Sequence, residues 1–161
     1  MTPLDTASFA GLPLHPLLVH AAVVLTPLTA IALIVCALWP AARRRVGAAL
    51  PLAAVLVAVL IPLTAATGAS LADAVGRAPA VQRHEALGLM LVPWAISLAP
   101  TALAVWIADR RRPDPSEESA AWPRPVRAAI AAAALVSAIG TLVLVILTGD
   151  AGARAVWEGS V

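Results

Sequence analysis

Four stretches of the chain contain no Asp, Glu, Lys or Arg: Leu17–Trp39, Val46–Thr67, Ala86–Ala108 and Ala128–Thr148. A helix rises about 1.5 Å per residue, so each can cross the roughly 30 Å hydrocarbon core of a bilayer. The chain has 161 residues, 61% hydrophobic and 12% charged, with a mean hydropathy of +0.90. That composition cannot supply the polar surface of a soluble domain. In lipid each backbone amide must be paired within its own segment, so the four stretches read as helices. The expected fold is all-α: a four-helix integral membrane bundle forming one domain over residues 1–161. The helices are placed at about 16–39, 46–67, 80–108 and 127–148, with an outer loop at 68–79 and a flexible inner loop at 109–126. No internal repeat is apparent.

The charge is sorted by topology. The isoelectric point near 10.0 would suit a nucleic-acid binder, but the eleven basic residues, all Arg, form no single patch. Arg43, Arg44 and Arg45 lie between spans one and two, and Arg110, Arg111, Arg112, Arg124 and Arg127 between spans three and four. Arg77, Arg83 and Arg154 lie on the other side. Short Arg-rich loops stay in the cytoplasm. The expectation is a multi-pass protein of the bacterial inner (cytoplasmic) membrane, with both termini outside. The start of the chain carries Asp5 and no basic residue before the apolar run, so span one reads as a permanent helix and not a cleaved signal.

Smaller signals fill in the helices. Pro16 suits the first helical position, which sets His15 just before the helix. Pro27, Pro62, Pro93 and Pro100 fall inside spans and should bend them. Thr67-Gly68 reads as the end of span two, and Pro79 as the opening of span three. Trp39 and Trp106 read as interface anchors, and Trp157 as folding the last segment back on the surface. Cys36, the one cysteine, reads as a small apolar filler. In span four, Ala128, Ala132, Val136 and Gly140 make one row and Ala133, Ser137 and Thr141 the next, which predicts close helix packing there.

The chemistry-bearing residues gather at one end. His15, His20 and His84 all fall at the outer ends of spans one and three, and Asp150 at the outer end of span four. A metal could take these four. His15 and His20 are five residues apart, about 140° around a helix, so they do not share a face. His20 is expected to point inward and oppose His84, which would let two imidazoles hold a haem of b type axially inside the bundle. Gly88 and nearby alanines would leave room, and Trp94 would stack on a flat ligand. Against this stands the plainer reading of interfacial histidines and an Asp150–Arg154 pair. No charged residue lies at mid-membrane, and no catalytic motif or Cys pair is present, so no enzyme activity is assigned.

The segments "GLPLHPLLVH", "RHEALG" and "TGDAGARAVW" resemble the domain-of-unknown-function 2231 family of small four-helix bacterial membrane proteins. The resemblance spans nearly the whole chain. It implies histidines at His15, His20 and His84 and, in many members, Gly-His-Ser-Gly-Ala where this chain reads Gly149-Asp150-Ala151-Gly152-Ala153. Asp150 departs from that pattern, and a carboxylate is a poor haem ligand. Some relatives are joined to a Rieske iron–sulfur domain, which implies electron transfer. Three readings stay open: a redox component binding haem b through His20 and His84 with a redox partner protein, a scaffold or partner subunit in a larger oligomer, and a periplasm-facing transition-metal site.

Overall fold

The computed structural model describes residues 8–9, 12–75, 78–110 and 122–157. A minimal antiparallel pair, β1 (Ser8–Phe9) and β2 (Leu12–Pro13), precedes five helices. These are α1 (Leu14–Leu38), α2 (Pro40–Val46), α3 (Ala49–Val75), α4 (Pro79–Arg110) and α5 (Arg124–Trp157). All but α2 are long and apolar enough to cross a membrane. The packing runs α1–α3–α4–α5 and back to α1, so α1 and α4 face each other along one diagonal and α3 and α5 along the other.

The bundle is small inside and large outside. Ala22, Thr26, Thr29, Ala30, Leu33, Cys36 and Ala37 form the buried stripe of α1, recurring at helical spacing. Val24, Leu28 and Leu38 on the same helix are each more than 60% exposed. In α5 the buried residues are Ala134, Ser137, Ala138, Thr141, Leu144 and Ala151. Lipid is as apolar as Leu, so nothing drives large side chains inward, and small residues win the interior because they let backbones approach. Cys36 is a buried free thiol within this core, as expected of a filler.

Several boundaries differ from the sequence reading. Helix α1 begins at Leu14, so His15 lies inside the first turn and not before it. Thr67-Gly68 does not end a helix: α3 continues to Val75, replacing most of the expected outer loop. Helix α5 runs on through Trp157 where a folded-back segment was expected. The four internal prolines interrupt none of the helices. Most of the expected inner loop, residues 111–121, lies outside the described residues. Of the two small rows in α5, Ala128, Ala132, Val136 and Ala133 are exposed, while Gly140, Ser137 and Thr141 turn inward. The close contact is therefore local. Gly140 meets the ring of Trp94 on α4, and a Cβ there would overlap it. Beside it Ser97 and Ser137 are hydrogen-bonded at 2.5 Å.

The junction of α1 and α2 is built around Pro40. Its missing N–H leaves the Cys36 carbonyl, four residues back, without its helical donor. The side chain of Arg43 supplies the bond: Nε donates to Cys36 O at 2.7 Å and Nη2 to Ala37 O at 2.9 Å. Gly47 closes α2 with a positive φ of 54°. Arg43 is thus a helix cap as well as a basic loop residue.

Candidate functional site

The starts of α1 and α4 and the C-terminal parts of α3 and α5 line an open cavity of about 580 Å³, made mainly of Ala, Gly and Val with His15, His20, His84 and Glu85. Gly88 contributes to the wall, as its expected role in leaving space requires. The volume lies within the range of cofactor and small-ligand pockets.

Two histidines meet across the α1–α4 diagonal. The rings of His15 and His84 have centres 6.5 Å apart and planes at 77°. Each is held by the neighbouring helix. His15 Nδ1 donates to the carbonyl of Thr64 on α3 at 2.9 Å, and His84 Nδ1 donates to the carbonyl of Thr148 on α5 at 2.9 Å. A carbonyl can only accept, so Nδ1 carries the proton in both rings and Nε2 keeps its lone pair. This anchoring of one ring nitrogen is the usual support of a ligating histidine.

The two anchors are built alike. Gly68 stands one turn beyond Thr64, and Gly152 one turn beyond Thr148. A Cβ at Gly68 would lie 2.7 Å from His15 Cε1, and one at Gly152 would lie 2.9 Å from His84 Cε1. Glycine is required at both because the imidazole edge lies on the backbone. Thr64 Oγ1 donates to Leu60 O at 2.8 Å, and Thr148 Oγ1 to Leu144 O at 2.7 Å. The segments Leu60-Ile-Pro-Leu-Thr-Ala-Ala-Thr-Gly-Ala69 and Leu144-Val-Ile-Leu-Thr-Gly-Asp-Ala-Gly-Ala153 share Leu, Leu, Thr, Gly and Ala at equivalent places. The same local anchor therefore recurs on α3 and α5, a short motif that the sequence reading did not single out. The Leu-x-x-x-Thr-x-x-x-Gly pattern was the available signal.

The other expected site residues fall differently. His20 does not oppose His84; it is exposed, reaches the cavity edge, and its Nδ1 donates to Pro16 O at 2.6 Å on its own helix. The start of α1 at Leu14 places His15 in the helix on its cavity side, and His20, five residues on and about 140° further round, falls on the exposed side. Trp94 packs on Gly140 and does not line the cavity. Asp150 is exposed and paired with Arg154 at 2.9 Å. The four expected metal ligands are not brought together, and among the described residues no group of three His, Cys, Asp or Glu side chains converges.

Residues 11–161 match the model of the DUF2231 family, described as predicted membrane proteins. The chain belongs to that family. No curated protein and no solved structure matches it. For this DUF2231 member the family and the four apolar helices agree on a multi-pass membrane protein.

Proposed function

We propose that this DUF2231 protein is an electron-transfer component of the bacterial cytoplasmic membrane, with a b-type haem held between His15 and His84 at the outward end of the bundle. The supporting observation is the pair of imidazoles 6.5 Å apart, each with Nδ1 committed to a backbone carbonyl. Two imidazoles on opposite sides of one metal, at about 2.0–2.1 Å per bond, have ring centres roughly 6 Å apart. The convergence of only two donors favours a cofactor that brings its own equatorial ligands over a bare ion. The mainly apolar, small-residue lining suits a flat macrocycle.

When bound, haem supplies one-electron chemistry. The chain's own residues do the rest. Thr64 and Thr148 fix ring tautomer and direction through their carbonyls, while Gly68 and Gly152 let the rings lie close to the backbone. His20 sits at the edge, where it faces water or a redox partner protein. The sorting of Arg supports the outward placement of this end. The test is the absorption spectrum of the chain purified in mild detergent after expression with ample haem. A Soret band that shifts on reduction and is lost in His15→Ala and in His84→Ala supports the reading. Colourless, metal-free protein sinks it and leaves the scaffold reading.

A further inference from the structure

The opposite end of the bundle holds a second cavity, of about 240 Å³, enclosed by the end of α1, by α2, and by the facing ends of α4 and α5. Its walls divide by polarity. Ala37, Val105 and Ile130 form an apolar side, and Arg43, Arg124 and Arg127 supply the charge. Among the described residues no Asp or Glu lines it. Arg43 is fixed at the wall by its two bonds to the α1 carbonyls. Arg124 and Arg127 stand one turn apart at the start of α5, both exposed, and among the described residues neither pairs with a carboxylate.

Arg124 and Arg127 bring two like charges to one small cavity, and an anion placed between them relieves their repulsion. Arginine's planar fork matches phosphate oxygens in particular. The start of α5 adds the positive end of the helix dipole. Position says which kind of anion. The cavity-lining Ala37 and Val105 stand at the same ends of α1 and α4 as Trp39, which is 63% exposed, and Trp106, whose ring is covered by the Arg110 guanidinium at 4.4 Å. Such aromatic residues mark headgroup depth. A cationic rim over an apolar wall at that depth fits a phosphate that carries acyl chains. We infer that this cavity binds the phosphate headgroup of an anionic phospholipid.

The experiment uses the full chain in mild detergent and measures lipid binding by native mass spectrometry and by thermal shift. The probes are dioleoylphosphatidylglycerol, dioleoylphosphatidylcholine with the same chains and no net charge, and inorganic phosphate. The inference expects preferential retention of phosphatidylglycerol. The double variant Arg124→Gln/Arg127→Gln should weaken its apparent affinity roughly tenfold or more, as expected for two arginines near an anionic headgroup. Arg44→Gln/Arg45→Gln removes two exposed charges from the same end, away from the cavity lining, and should leave retention unchanged. All four positions are exposed, so both variants should fold, and their unliganded melting temperatures check this. Equal losses in the two double variants would mean a general surface-charge effect and overturn the site. Unchanged binding in Arg124→Gln/Arg127→Gln would also overturn it. Stabilisation by inorganic phosphate equal to that by phosphatidylglycerol would assign the cavity to free phosphate and overturn the lipid.

Discussion

His15 and His84 come from helices that lie across the bundle's diagonal, yet their rings meet at 6.5 Å. The meeting is possible because neither ring relies on its own helix for support. Each leans on the next helix in the chain, over a glycine and onto a threonine carbonyl. The pair is thus a property of two hairpins set side by side.

The histidines should separate cleanly on substitution. On the proposed function, His15→Ala and His84→Ala should each abolish or deeply alter a Soret band, because each would remove a ligating nitrogen. His20→Ala should leave it nearly unchanged, since His20 is exposed and bonded to its own helix. Absorption spectra of the three purified variants check this. A band lost only in His20→Ala would reinstate the pairing of His20 with His84.

Gly68→Ala and Gly152→Ala should act alike. The new Cβ would sit within 2.9 Å of an imidazole carbon in either case, so the ring or the helix must move. Each change should destabilise the protein by about 1–3 kcal/mol, the usual range for overpacking, and perturb the same spectrum. Gly88→Ala is the control, because a Cβ there meets nothing within 4 Å. Thermal unfolding in detergent ranks the three, and a Gly88→Ala loss as large as the others would count against the anchor.

Gly140→Leu should destabilise the bundle more than Leu142→Ala. Gly140 is filled by the Trp94 ring, whereas Leu142 is only partly buried. Trp94→Leu should recover part of the Gly140→Ala loss, because the two substitutions share one contact. Melting temperatures of the single and double variants measure the coupling. Strict additivity would place Gly140 against lipid.

Ser137→Ala should cost about 0.5–1 kcal/mol, the usual worth of a hydrogen bond between helices in lipid. It removes the 2.5 Å bond to Ser97 on α4. Unfolding free energies in detergent give the value, and Ser97→Ala should cost at least as much, because Ser97 Oγ also donates to Trp94 O at 2.7 Å.

The expected orientation rests on eight Arg residues in the sequence segments between spans one and two and between spans three and four, against three elsewhere. A reporter that is active only outside the cytoplasm, fused after Val161, should be active. Activity of a cytoplasmic reporter at that site would invert the protein and turn the histidine end inward.

The sequence by itself determined the solvent, the number of spans and the helical class. Those follow from local quantities: run length, absence of charge and the need to pair every amide in lipid. It also located the histidines at one end, because antiparallel spans alternate direction. Only the tertiary structure decided which histidine faces inward. Helix α1 starts two residues earlier than expected, which brings His15 into the helix on its inward side, while His20, about 140° further round, faces out; helix starts are not fixed by hydrophobicity alone. The small rows of α5 misled for a related reason. Alanine is equally at home facing lipid or a neighbouring helix, so composition cannot choose the buried face, and only the fit of Trp94 against Gly140 does. The anchoring of each imidazole on a threonine carbonyl was the least legible. A backbone carbonyl has no side-chain signature, so the repeated Leu-x-x-x-Thr-x-x-x-Gly acquires meaning only when the helices bring a ring from elsewhere onto it.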